Sequence, residues 1–191
     1  MNELPYAATS IIFGIQQLIE GNLWLKLPVQ SPTTHALAVA YLLFSHVLWP
    51  IYVPAAVMMI EPLAARRRHL ILPVSAGAAA GIFYLAMLLT TPVSATIKGQ
   101  HIGYHILHPY HAIALTLYLT GTCVAPLLSS YKTIRMFGIA IVISLLATYV
   151  AYSHWFVSVW CFFAALMSGL VFLHFARRRT DEVETSVARS A

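Results

Sequence analysis

Residues 11–25, IIFGIQQLIEGNLWL, decide how this chain is read. The stretch is apolar enough to lie in a membrane, yet it holds Gln16, Gln17, Glu20 and Asn22. A charged side chain at the centre of a spanning helix costs about 2.5–3.5 kcal/mol on the mildest scales. Such a residue therefore faces a bundle interior and has a partner there. Gln16 and Gln17 precede Glu20 by four and three residues, which places all three on one helix face. Trp24 carries that face on by another turn. Glu20 is the only acidic side chain inside a long apolar run, so this helix is expected to supply the polar spine of a buried site.

Working outward, composition fixes the class. Of 191 residues, 60% are hydrophobic and 9% charged, and the mean hydropathy is +0.77. Soluble domains carry about 25% charged residues. The expected fold is an all-α polytopic membrane protein with a lipid bilayer as its surroundings. Cys123 and Cys161 fall in apolar runs, as small core residues do, which excludes a disulfide framework. The pI near 9.4 does not signal nucleic acid, because the basic residues cluster at the ends of apolar runs. Oligomeric state has no signature here.

A spanning helix needs about 20 mostly apolar residues. Six segments qualify: 5–27, 35–60, 70–92, 109–128, 136–153 and 155–176. Together they form one bundle over 1–179, followed by a polar tail at 180–191 expected to be disordered. Arg66, Arg67, Arg68, Lys132, Arg135, Arg177, Arg178, Arg179 and Arg189 follow even-numbered helices, against Lys26 and Lys98 on the other side. This bias places both termini in the cytoplasm of a bacterial inner membrane and 93–108 outside.

Pro50 and Pro54 interrupt the second helix and free carbonyls beside Ser45 and His46. Such carbonyls are tolerated only where protein or water satisfies them. Gly77 and Gly81 form a GxxxG packing motif in the third helix. The 93–106 segment alternates around Lys98-Gly99 and reads as an outward-facing β-hairpin. Pro109 suits the first position of the fourth helix.

Nine histidines are present. His35, His101, His105, His108, His111 and His154 map to the outer side, and His46 lies about 16 Å inside the outer end of its helix, Glu20 about 10 Å. Glu20 and His46 are thus at comparable depth and are the candidate catalytic pair. They could pair directly, share a proton, or join His105, His111 and His154 around a transition metal such as zinc. Gln16, Gln17 and Ser45 complete the polar pocket. The bland reading stands beside this one: a carboxylate held by amides and a tyrosine, interfacial histidines, and no chemistry.

The GIQQ of 14–17, the EGxxWL of 20–25, the SHxLWP of 45–50 and the HIxY of 101–104 resemble an uncharacterised bacterial family of multi-pass membrane proteins, a domain of unknown function. The resemblance covers nearly the whole chain and implies no chemistry. Members look like seven-helix proteins with a further N-terminal helix, so the first helix is expected to be absent here or the start site misplaced. A looser similarity, of Glu20, Ser45, His46 and His154, is to zinc-dependent membrane hydrolases of the ceramidase type. Against it, no Asp lies in a span and the last span holds only His174. Three readings follow: a metal-dependent enzyme acting on a lipid or amphiphile, a proton-coupled carrier or sensor gated by the broken second helix, and a structural bundle.

Overall fold

The computed structural model describes residues 4–29, 31–99, 101–106, 110–152 and 157–169. Among these, six helices and one hairpin make up the molecule. Helix α1 is Leu4–Lys26, α2 runs over Pro32–Ile60, and α3 is Ala64–Thr90. The hairpin strands are β1, Val93–Lys98, and β2, His101–Ile106. Helix α4 begins with His111–Leu119 and ends with Ala125–Leu127, α5 is Lys132–Tyr152 and α6 is Val157–Gly169. Three of these, Pro32–Ile60, Ala64–Thr90 and Lys132–Ala151, are long and apolar enough to cross a membrane. The polar face of α1 lowers its hydropathy although it has 23 residues.

Several boundaries differ from the sequence reading. Helix α3 starts at Ala64 instead of residue 70, taking Arg66, Arg67 and Arg68 into its opening turns, because arginine is a good helix former whose long stem keeps the charge in water. Helix α2 starts at Pro32, with the Ser31 hydroxyl capping the Thr34 N–H at 3.3 Å. Helix α4 starts at His111 behind Tyr110, which takes the left-handed φ of 61°. Pro109 itself, His108, His154, the end of the sixth span with His174, and the 180–191 tail lie outside the described residues.

The prolines act as expected, and the chain responds with two π-helical turns, Leu43–Leu48 in α2 and Thr120–Val124 in α4. Each stands just before a proline, Pro50 or Pro126. In the first, the Trp49 N–H reaches back to the Phe44 carbonyl. The next carbonyl in that ladder, Ser45, would need the N–H that Pro50 lacks. Tyr118 supplies the donor instead, its hydroxyl meeting the Ser45 carbonyl at 2.8 Å. The Pro50 carbonyl loses its donor in turn, because the α-helical partner would be Pro54.

That bare carbonyl is where three helices meet. A Cβ on Gly77 of α3 would lie 1.8 Å from the Pro50 oxygen, and one on Gly121 of α4 would lie 2.8 Å from the Gly77 Cα. Only glycine permits this approach of backbones, and Cα–H groups can face the freed oxygen. The main core, with Trp49, Val57, Tyr84, Tyr118, Phe137 and Trp160, surrounds this crossing.

The hairpin is antiparallel with Val93 opposite Ile106, Ala95 opposite Tyr104 and Lys98 opposite His101, and Gly99 takes φ +65° in its turn. Period-2 alternation puts Val93, Ala95, Ile102 and Tyr104 on one face. That face packs on Leu23 of α1, on Leu27 just past its end, and on Ala38 and Leu42 of α2. The hairpin thus lies across the ends of the first two helices.

Candidate functional site

Helix α1 turns Gln16 and Glu20 inward, as the spacing requires, while Leu18 and Leu25 on its other face are 70% and 78% exposed. Gln16 is fully buried, and the Trp49 indole N–H donates to its carbonyl oxygen. Among the described residues its amide nitrogen has no hydrogen-bond partner of normal geometry. Phe13, one turn earlier, stacks on the Trp49 ring at 3.7 Å between centroids.

Glu20 is buried under the hairpin. The Tyr104 hydroxyl of β2 donates to one carboxylate oxygen at 3.2 Å, and the Gln17 amide approaches the other at 3.5 Å. Ser158 of α6 is a further donor. Tyr104 stacks on Tyr41 of α2, with centroids 4.7 Å apart and planes 7° from parallel. Burial first, then the Glu20 charge, push the Tyr104 phenol well above its ordinary range, so it remains a donor. The Tyr41 hydroxyl faces Glu20 and Cys161 but completes a hydrogen bond of normal geometry with neither. These hydrogen-bond donors to Glu20 are all neutral groups.

A cavity of about 220 Å³ opens onto this carboxylate. Gln17, Glu20, Gly21 and Trp24 line it from α1, His101 and Ile102 from β2, and Ser158 from α6. It is a half-polar recess roofed by the hairpin. A second, smaller space of about 40 Å³ lies between Phe13, Trp49, Tyr118, Phe137, Trp160 and Cys161.

His46 has other company. Its Nδ1 meets the Ser45 hydroxyl at 2.8 Å, and its ring packs edge-on against Tyr84 at 4.9 Å and near Tyr118 at 6.5 Å. Ser45 thus stands with His46, and Gln17 with Glu20. His105 stands on the hairpin's outer face, 3.3 Å from the Thr96 hydroxyl. Among the described residues, no three His, Cys, Asp or Glu side chains gather within metal-holding reach. His154 and the His111 side chain, the other expected ligands, lie outside the described residues.

One acidic site escaped the sequence reading. Glu61, at the exit of α2, is fully buried. Its carboxylate accepts from the Ser130 backbone N–H at 2.8 Å, from the Ser130 hydroxyl, and from the Leu63 N–H at 3.3 Å. Beside it, Arg66 donates to the carbonyls of Leu128 and Ser129 at 3.4 and 3.0 Å, and Arg67 to the Glu61 carbonyl. Burial opposes the charge, but these donors and Arg66 outweigh it and hold the Glu61 carboxyl below its usual value. This clamp ties the α2–α3 link to the α4–α5 link. The signal was present in EPLAARRR, an acid followed closely by three arginines. Tyr41, Tyr104 and Ser158 carried none of their own, although Tyr104 belongs to the HIxY element.

Residues 1–187 match the model of DUF6629, a family of unknown function. No curated protein and no solved structure matches the chain.

Proposed function

We propose, from the premise that the chain belongs to the DUF6629 family of unknown function, that it is a multi-pass membrane protein which binds a small ligand in the recess over Glu20. This is the carrier or sensor reading of the sequence. The observation that carries it is a buried carboxylate, held by the neutral donors Tyr104, Gln17 and Ser158, at the floor of an open cavity. A buried carboxylate without a counter-charge is costly, so a fold that keeps one has a use for it. The site bridges α1, α6 and the hairpin, so a ligand there would change how the hairpin sits.

The inside-out pattern supports the membrane part of the reading. Gln16 and Glu61 are 0% exposed, while Leu72, Leu89 and Val150 are 70%, 77% and 84% exposed. A water-soluble fold would sort these the other way. The bias of basic residues puts both termini in the cytoplasm and the recess on the outer side.

The test is labelling of Gly21→Cys in intact cells by a thiol reagent that cannot cross the membrane. Reaction from outside is expected, and reaction only after permeabilisation would overturn the outward-facing recess. Elemental analysis of the detergent-purified chain separates the competing class. A stoichiometric transition metal would replace this reading with the metal-dependent enzyme, in which His46, His105, His111 and His154 supply ligands.

A further inference from the structure

We infer that the ligand of the Glu20 recess is an organic ammonium group, with the Glu20 carboxylate as counter-ion and the Trp24 indole as one wall; this rests on the binding reading above.

Three observations on the same cavity converge. The first is charge. Glu20 is buried, and its partners Tyr104, Gln17 and Ser158 donate hydrogen bonds but supply no positive charge. An occupant carrying one positive charge relieves the desolvation cost that these donors leave. The second is the wall. Trp24 follows Glu20 by one helical turn and lines the same recess, and indole is the best aromatic face for a cation. The third is size. About 220 Å³ is far more than a bare metal ion needs, and one carboxylate is too few oxygen donors for a hard divalent cation, which takes six or more. The space suits an ammonium group with a few carbons. Gln17 and Ser158, which also line the recess, can exchange hydrogen bonds with a polar substituent on it.

Position adds to this. Glu20 and Trp24 lie within the last two turns of α1, which ends at Lys26, so the recess sits near that helix's terminus. An ammonium group could arrive there on a free amine or on a phospholipid headgroup.

The experiment uses the full chain in detergent, titrated with methylammonium, ethanolamine and tetramethylammonium chlorides. Ethylene glycol serves as the uncharged match for ethanolamine, and sodium chloride controls for salt. Thermal midpoint and tryptophan fluorescence are the readouts. Saturable binding of the amines over both controls is expected. Trp24→Leu should weaken tetramethylammonium by roughly 2- to 30-fold. Glu20→Gln should abolish binding. Gly21→Leu gives a second route, because a Cβ there meets nothing within 4 Å and its side chain would fill the recess without disturbing the helix. Ethylene glycol binding as well as ethanolamine would overturn the charged class and leave the recess reading intact. Amine binding undiminished in Gly21→Leu would overturn both. Failure of all the amines would overturn the inference alone, provided that Gly21→Cys is labelled from outside. Nanodiscs of phosphatidylethanolamine against phosphatidylglycerol then identify the source. Competition by the former assigns a lipid headgroup, and its absence assigns a free amine, either being a form of the same proposal.

Discussion

The Tyr104 hydroxyl donates to the Glu20 carboxylate at 3.2 Å across 84 residues of chain. This bond fastens the hairpin to the polar face of α1. Tyr104→Phe is expected to lose the bond and keep the Tyr41 stack. Hydrogen bonds to charged groups contribute about 1.5–3 kcal/mol, so thermal stability should fall by that order and amide exchange in 93–106 should quicken. Tyr41→Phe should cost much less, because its hydroxyl completes no hydrogen bond of normal geometry among the described residues. Equal losses for the two would refute this assignment.

At Gly77 a methyl group would lie 1.8 Å from the Pro50 carbonyl oxygen, which is backbone and cannot step aside. Gly77→Ala should therefore destabilise by at least about 1–3 kcal/mol, as overpacking does. Gly14→Ala is the control: nothing lies within 4 Å of its Cβ, and alanine gains up to about 1 kcal/mol of helix propensity. Detergent melts of the two variants should move in opposite directions.

The Glu61 clamp makes a signed pH prediction. Its carboxyl titrates lower in the folded chain than its ordinary value of 4.5. The stabilisation is thus fully present above that value and is lost as pH falls through the folded value. Wild type should exceed Glu61→Gln in thermal stability at neutral pH, and the gap should close only in acid. A gap that stayed constant down to acid unfolding would remove the ionised carboxylate from the account. Ser130→Ala should shrink the gap at neutral pH.

Ser94 is exposed on the hairpin, whereas Cys123 and Cys161 are buried. Ser94→Cys should react with an impermeant thiol reagent from outside intact cells, and Arg68→Cys only after permeabilisation. The opposite pattern would invert the proposed orientation.

The elements that could be read from the sequence are those fixed by local rules. Strict alternation around Lys98-Gly99 specified the hairpin, because a strand has two faces and only one set of side chains fits the core. The spacing of Gln16, Gln17 and Glu20 specified their common face, because a helix repeats every 3.6 residues. Paired prolines specified a broken α2. What stayed hidden depends on tertiary pairing. Depth along a helix is legible in the sequence, but depth does not fix azimuth. The rotation of α2 gives Glu20 the neighbourhood of Tyr41 and turns His46 towards Tyr84 and Tyr118. Ser158 reached Glu20 from a helix 138 residues later, a distance at which no local pattern operates.

The two π-helical turns have a consequence for how chain length can vary in this family. Each turn takes up one residue more than an α-helix would need between the same two end points. Losing one residue within 43–48 or 120–124 would let the ladder close as ordinary helix with both flanks still in place. A loss elsewhere in α2 or α4 would rotate one flank by about 100°. Single-residue gaps among relatives should therefore gather at these two stretches. A relative shortened at the first would keep its bundle, and because the proline still offers no N–H, a carbonyl one turn before it would still call for an outside donor such as Tyr118.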